Sequence, residues 1–339
     1  MKIQLRHSFE EIILLENFLA AWDEFIPGKR NKQDVQEFAR YLMDNIFALR
    51  DELESGVYKH GNYHSFYITD PKRRHIHKAS VRDRLLHHAV YRILYPFFDR
   101  TFITDSFSCR NGKGTHKALS RFREFAHQVS RNNTRTCWIL KCDIKKFFAS
   151  INHETLLSIL REYIPDQDIL YLLRNIITSF HTESFKDIGL PLGNLTSQML
   201  ANIYMNELDQ FVKHKLKARH YLRYADDFVI LSPNKKWLEE LKPQIALFLQ
   251  NSLKLALHSD KTFIKTLASG VDFLGWVHFS HHRILRRATK RRMFAGIKET
   301  GGEEVIQSYL GLLKHGNAFK LEQEVLNNYW IWKELDKSA

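Results

Sequence analysis

Two adjacent carboxylates, Asp226 and Asp227, sit in the stretch HYLRYADDFVILS at positions 220–232, flanked by Tyr221, Leu222 and Tyr224 on one side and by Phe228, Val229, Ile230 and Leu231 on the other. The pattern predicts two short strands with the acids at the turn between them. Two carboxylates side by side among apolar residues repel each other, and no basic neighbour in the core of the run neutralises them, so a site of this kind suits a divalent cation. Magnesium fits, because it takes one or two carboxylates and completes its shell with water and substrate phosphates. A polar hairpin tip is the plain alternative, and two further stretches weigh against it.

The first is TCWILKCDIKKFFASINHETL at 136–156, where Cys137, Trp138, Ile139 and Leu140 make a near-continuous apolar run that ends at Asp143. Such a run predicts a strand buried on both faces, and an ionised carboxylate at its end is costly unless it is paired or holds a metal. The helix expected from His153 starts too far away for Asp143 to cap it. Phe148 would face the same cavity as Asp143 if the chain turns sharply between them. The second stretch, GLPLGNLTSQMLANIYMNELDQFVKHKL at 189–216, opens as a Gly/Pro loop and passes into an amphipathic helix with Leu200, Ile203, Tyr204, Leu208, Phe211 and Val212 on one face. Free backbone N–H groups near Thr196 and Ser197 could meet a phosphate or a base edge.

These stretches need elements to hold them. Residues 8–54 predict two helices parted by IPGKRNK, and 57–82 predict a β-hairpin carrying Lys72, Arg73, Arg74, Lys78 and Arg82, with Arg84 just beyond. Basic side chains interleaved with His and aromatic residues suit phosphate contacts. A helix is expected over 83–98, limited by Asp83 and Pro96, with further helices over 153–162 and 166–180. GKGT at 112–115 is not a phosphate-binding Walker loop, because position 107 is Phe where that loop needs Gly; a turn offering Arg110 and Lys113 is the modest reading. Between Arg283 and Lys298 there is no acid, and Arg286 with Lys290 and Arg287 with Arg291 stand four apart on an expected helix, a stripe that can track a phosphate backbone. Residues 303–332 complete a small helical bundle.

Composition agrees. The 339 residues carry a formal charge of +13 with pI near 9.5, which points to a polyanionic partner. No apolar run approaches the roughly 18 residues of a membrane helix, and Glu10 and Glu11 break any signal-peptide pattern, so no membrane role is expected. The three cysteines suggest neither a disulfide framework nor a zinc site, and a reducing, cytoplasmic setting is expected. Histidines such as the pairs His87–His88 and His281–His282 lack zinc-helix spacing.

In this order the parts resemble motifs A, B and C of the palm domain of reverse transcriptases: a strand ending in Asp143, the Gly-Leu-Pro-Leu-Gly loop, then Tyr-Ala-Asp-Asp. The resemblance covers about residues 57–330. RRHIHKASVRDRLLHHAVYRILYPFFDR and SFSCRNGKGTHKAL are similar to the two fingers motifs, LALHSDKTFI to the motif bearing a lysine, here Lys261, and VDFLGW, with Gly275 and Trp276, to the primer grip. The string LPLGNLTSQ at 190–198 is similar to that of diversity-generating retroelement enzymes, which copy a template-repeat RNA into error-laden cDNA; retron and abortive-infection enzymes are the nearest alternatives. The expected fold is α/β (α+β), a right-hand polymerase with an N-terminal helical extension at 1–56, fingers at 57–135, palm at 136–282 and a helical thumb at 283–339. No endonuclease or RNase H segment is expected.

The resemblance also implies roles. Asp143 and Asp226, with the carbonyl of Ile144, would hold two magnesium ions, manganese being a substitute, and Asp227 would support them. Arg74, Lys78, Arg84, Leu192 and Gln198 are candidates for contact with the incoming nucleotide, and Phe148 for the floor beneath its sugar. Leu192 stands where relatives carry Gln. Lys261 would give a proton to pyrophosphate, or merely pair with Asp260. Arg110, Lys113, Gly275, Trp276, Arg286, Arg287, Lys290 and Arg291 would contact nucleic acid. Expected partners are the template RNA, the primer or cDNA strand, deoxynucleoside triphosphates and a small basic accessory protein, in the cytoplasm of a bacterium or in a phage-infected cell. Outside this class stand a non-catalytic RNA-binding protein, disfavoured by the three intact acids, and a metal-dependent nuclease, disfavoured by the lack of further acids or a His in these motifs.

Overall fold

The computed structural model describes residues 2–69, 73–182, 186–300 and 302–336, with residues 300 and 329–336 by backbone alone. Lys72 lies outside the described residues. Four N-terminal helices come first: α1 (Phe9–Ile13), α2 (Leu15–Phe25), α3 (Gln33–Arg40) and α4 (Leu42–Glu54). Each of the two helices expected here is broken once, at Leu14 (φ −55°, ψ 138°) and at Tyr41 (φ −122°, ψ 40°). The Glu11 carboxylate accepts from the Ser8 N–H, which fixes the chain's entry into α1.

A hairpin follows, β1 (His64–Ile68) with β2 (Arg74–Lys78), leading into α5 (Val81–Thr101) and α6 (Thr115–Ser130). Helix α5 starts earlier and ends later than expected. Ser80 caps it by accepting from the Asp83 N–H, and Pro96 lies inside it. The buried Leu94, Tyr95 and Phe98 straddle that proline, so core packing carries the helix through the one missing hydrogen bond.

The central sheet has the order β4-β5-β3-β6, antiparallel throughout, from β3 (Trp138–Asp143), β4 (Tyr221–Tyr224), β5 (Asp227–Ser232) and β6 (Phe263–Thr266). Between β3 and β4 lie α7 (Phe147–Ser150), α8 (His153–Arg161), α9 (Gln167–Thr178) and α10 (Leu195–Gln210), the last continuing as a π-helical turn over Phe211–Lys215. Both faces of the sheet are covered. Leu140, Cys142, Tyr221, Phe228 and Ile230 join the large core with α5 and α10, and Ile139, Leu222, Val229 and Leu231 pack with Phe122, Phe125 and Val129 of α6. Burial of β3 on both faces is what its apolar run predicted, and alternate residues go to the two cores.

Beyond β5 come α11 (Lys235–Leu253) and a 3₁₀ turn at Ser259–Lys261. A second sheet then forms from β7 (Val271–Phe273), β8 (Trp276–His278) and β9 (Arg283–Leu285). Helices α12 (Arg287–Thr300), α13 (Glu303–Leu313) and α14 (Phe319–Asp336) build their own small core on Met293, Ile297, Ile306, Leu313 and Val325. The mixed α/β architecture is the fold class expected from the sequence. Among the described residues no helix is long and apolar enough to cross a membrane.

Candidate active site

The pairing register of the central sheet sets Asp143 opposite Asp227, and Tyr224 opposite the same residue. The bend between β4 and β5 is therefore only Ala225 and Asp226, and Ala225 takes a left-handed conformation at φ 55°. Its carbonyl accepts from Arg223 Nη1 at 3.0 Å. That guanidinium is wholly buried: Nη2 and Nε donate to the two oxygens of Asp209 at 2.7 and 2.8 Å, and Tyr221 donates its hydroxyl to the same carboxylate at 2.6 Å. Thr115, from the GKGT turn, donates its hydroxyl to that of Tyr224 at 3.1 Å.

The strand bearing Asp143 is fixed on its other flank. His258 donates its backbone N–H to the Asp143 carbonyl at 2.8 Å and Lys145 to the Ala256 carbonyl at 2.9 Å, while on the β5 side Ile144 donates to the Asp226 carbonyl at 3.3 Å. The chain then makes the sharp turn required of it at Lys146 (φ 47°). Phe147 enters the core at 4% exposed, while Phe148 stays half-buried. The Phe148 carbonyl accepts from Leu190 N–H at 2.8 Å, which ties the aromatic to the Gly-Leu-Pro-Leu-Gly loop.

That loop is laid against β2. The Leu192 carbonyl accepts from His77 N–H at 2.9 Å, and Asn194 both donates to the His77 carbonyl at 2.8 Å and accepts from Ala79 N–H at 3.3 Å. Gly193 sits at φ 110°, and a Cβ there would come within 2.8 Å of Ile76, so the close approach requires glycine. Gln198 is half-buried on the first turn of α10, and Thr196 and Ser197 are buried. Strand pairing and backbone hydrogen bonds thus link the segments bearing Asp143, Asp226, Asp227, Phe148 and Leu192.

Burial raises the Asp226 pKa; its own backbone hydrogen bond opposes that, Asp143 adds to it, and the positive charges of Lys261 and Arg74 pull it back. Asp227 is pushed up to about 7, mainly by burial; Lys141 opposes the rise and Asp143 adds to it. Lys141 reaches the Asp227 carboxylate from the neighbouring strand at 3.4 Å, and Lys261 holds Asp143 at 2.9 Å. The expected absence of a neutralising base thus holds only within the run itself: Arg223 turns to Asp209, and the cation comes from β3. Lys261 pairs with Asp143 and not with Asp260, whose carboxylate accepts from Ser259.

Among the described residues no three His, Cys, Asp or Glu side chains form a ready cluster for a metal. The donor set nevertheless fits a hard cation. Asp227 Oδ1 is buried with no hydrogen-bond partner, and both turn carboxylates are held above their ordinary pKa. A divalent ion would satisfy the first and favour ionisation of the second.

Several expected contacts lie elsewhere. Arg74 acts on Asp226 through its charge, but Lys78 and Arg84 both bind Asp34 of α3, at 2.6 and 2.8 Å, so a local carboxylate already engages them. Arg110 is not a free phosphate ligand: it donates to Asp99 and to the carbonyls of Ile103, Ser106 and Asp99, binding its own loop together. Lys113 donates to the Thr104 carbonyl at 2.9 Å and lies over Phe107. Trp276 is 1% exposed, and a side-chain carbon at Gly316 would overlap its ring, so it is a core residue joining β8 to the C-terminal helices. Gly275 completes the tight β7–β8 turn at φ 84° and accepts from Arg286 N–H. Arg286 pairs with Asp272 and Lys290 with Glu324, whereas Arg287 and Arg291 are exposed on α12 without an ion-pair partner among the described residues. Arg223, Asp209, Lys141 and Asn194 were not singled out from the sequence. The buried positions of Arg223 and Lys141 inside apolar strands were the available signal.

Residues 59–278 match the family model described as reverse transcriptase (RNA-dependent DNA polymerase). The chain is similar to protein YkfC of Escherichia coli (28% identity, covering 78% of this chain and 77% of YkfC). It is similar to the group II intron-encoded protein LtrA of Lactococcus lactis (25%, covering 69% and 49%). It is also similar, over 34% of its length and 37% of the relative's, to the retron Ec73 reverse transcriptase of Escherichia coli at 33% identity. The chain thus spans about half the length of the intron-encoded relative. The solved structure of apo telomerase from Candida Tropicalis, truncated from its C-terminal domain, aligns with TM-score 0.49 at 15% identity over 66% of this chain and 55% of that one.

Proposed function

Because the chain belongs to the reverse transcriptase family, we propose that it is an RNA-directed DNA polymerase whose reaction centre is Asp143, Asp226 and Asp227. The observation that carries this reading is the register that faces Asp143 with Asp227 at the sheet's tip, joined through Phe148 to the loop bearing Leu192. In this reading residues 57–135 act as fingers, 136–282 as palm and 283–339 as thumb, behind the extension at 1–56.

Asp143 and Asp226, with the Ile144 carbonyl, would hold divalent cations, and Asp227 would back them. Bound there, magnesium or manganese would acidify the primer 3′-hydroxyl and neutralise the triphosphate. The chain's own residues do the positioning. Arg74 meets the phosphates, Phe148 floors the sugar and Leu192 with Gln198 lines the base. Lys261, which holds the Asp143 carboxylate, would donate a proton to pyrophosphate. Arg287 and Arg291 hold the duplex from α12.

We further propose the diversity-generating subclass, supported by LPLGNLTSQ at 190–198, with a small basic protein as its accessory and the cytoplasm as its setting. A retron-type role is the second reading, favoured by the 33% identity to the retron Ec73 enzyme. Extension of a DNA primer on an RNA template tests the activity, and sequencing of the product tests the subclass. Errors concentrated opposite adenine support the diversity-generating reading, and evenly distributed errors support the retron one.

A further inference from the structure

The end of the central sheet remote from the carboxylates carries a surface that the polymerase reading does not use. Register places Trp138 beside Ser232 and Tyr221 beside Ile230, so the start of β3, the start of β4 and the end of β5 lie together at that pole. Leu231 N–H donates to the His220 carbonyl at 2.9 Å and ties the turn before β4 to β5. Trp138 stands five positions before Asp143 on the strand, about 16 Å at roughly 3.3 Å per residue.

Two of the segments that converge there are one-signed, while the start of α11 pairs Lys235 with Glu239. No Asp or Glu occurs from Phe125 to Cys142 or from Gln210 to Ala225. The His220 imidazole registers the crowding: its pKa is lowered first by burial and then by the positive charges of Arg219, Lys213, Arg121 and Arg135. Lys213 and Arg121 share Asp105. Lys215, Lys217, Arg219, Arg131 and Lys236 are exposed and have no acidic partner among the described residues. A solvated protein surface normally mixes signs.

We propose that this pole is a second RNA-binding surface, which grips a segment of RNA that is not being copied. The proposal builds on the RNA-templated reading above. The chemistry matches a phosphate backbone: free guanidinium and ammonium groups stand among the exposed polar side chains of Asn132, Thr134 and Asn234. It does not match a lipid surface, since none of the large exposed apolar side chains lies in these segments, and a membrane-binding face needs an apolar side to insert. Because the pole is about 16 Å along the strands from Asp143, an RNA held there reaches the carboxylates only through a further segment. The enzyme would thus hold a second RNA segment together with the one being copied.

The test compares two full-length variants that lose the same charge. One replaces Arg131, Lys215, Lys217 and Arg219 by Gln, and the other replaces the exposed Arg6, Arg30, Lys32 and Arg40 of the N-terminal region by Gln. Binding of a blunt, fully paired RNA hairpin is titrated against salt, and extension of a short primed RNA template is followed in parallel. The first variant is expected to bind the hairpin at least tenfold more weakly near physiological salt, with the log–log salt slope shallower by about 3, and to extend the short template as the wild type does. The second is expected to keep most of the slope. Equal loss in both variants, or an unchanged slope in the first, overturns the proposal, as does loss of binding confined to anionic phosphatidylglycerol vesicles. Failure of the wild type to extend any primed template counts against the polymerase reading, while the hairpin titration still decides for or against the surface.

Discussion

Arg223 and Asp209 form a two-pronged ion pair with no solvent exposure, and the same guanidinium holds the carbonyl of Ala225 at the bend that presents Asp226. The geometry of the turn carboxylates therefore depends on a charge pair buried behind them. Removing one partner leaves the other uncompensated, a loss of roughly 3–5 kcal/mol. Arg223→Met and Asp209→Asn are each expected to unfold at lower urea. Arg223→Met combined with Asp209→Leu should regain much of that stability but little primer extension, because nothing then clamps Ala225. Full activity in the double variant would contradict the clamp.

Phe147 and Phe148 are adjacent and differently used. Phe147→Ala empties a core position and should cost about 3–5 kcal/mol, with sugar selection retained in the folded fraction. Phe148→Ala is expected to admit ribonucleotides in single-nucleotide extension with modest loss of stability. Continued exclusion of ribonucleotides would place the sugar floor elsewhere.

Leu192 engages β2 through its carbonyl, so its side chain can be changed without disturbing the loop's hydrogen bond to His77. A site that hydrogen-bonds its substrate rejects wrong ones better than an apolar one. Leu192→Gln is expected to lower misincorporation opposite template adenine by about tenfold, equivalent to about 1.4 kcal/mol. Steady-state single-nucleotide kinetics check this, and an unchanged ratio at full activity would direct attention to Arg74.

Burial holds three histidines neutral: His87 is lowered to about 3, and His88 and His278 each to about 4. The unfolded chain protonates them near pH 6.5. Below that pH the unfolded state binds more protons, so stability is full above about 6.5 and is lost as pH falls toward 4, by up to roughly 2.7 kcal/mol per pH unit from the deeply buried His87 and His278, with the partly exposed His88 adding less. Asp227, raised to about 7, and Asp226, also raised by burial, act in the opposite direction, but they are two carboxylates against three rings. Urea denaturation between pH 7.5 and 5 is expected to show falling stability, and a flat or rising profile would contradict the burial assigned to these rings.

Much of this site was legible because its residues break a local pattern: acids at the ends of apolar strands, and a glycine-proline loop before an amphipathic helix. What escaped notice involves long-range pairing. Asp209 reads as a polar position on α10 until Arg223 is folded against it, and Lys78 and Arg84 read as free cations until α3 brings Asp34 to them. Arg110 imitates a phosphate ligand because its loop is glycine-rich, whereas its five-donor fork is needed to satisfy local carbonyls. The breaks at Leu14 and Tyr41 carry no glycine or proline to announce them, and Pro96 announces one that core packing overrides.

Asp143 and Asp226 either act on substrate or merely support the sheet. Primer extension on an RNA template with magnesium, run with Asp143→Asn and Asp226→Asn alongside wild type, decides it when the same preparations are checked for folding and RNA binding. Extension lost in both variants, with urea midpoint and RNA affinity near those of the wild type, is the expected result. Extension retained in both folded variants would contradict the assignment of these carboxylates to the reaction centre.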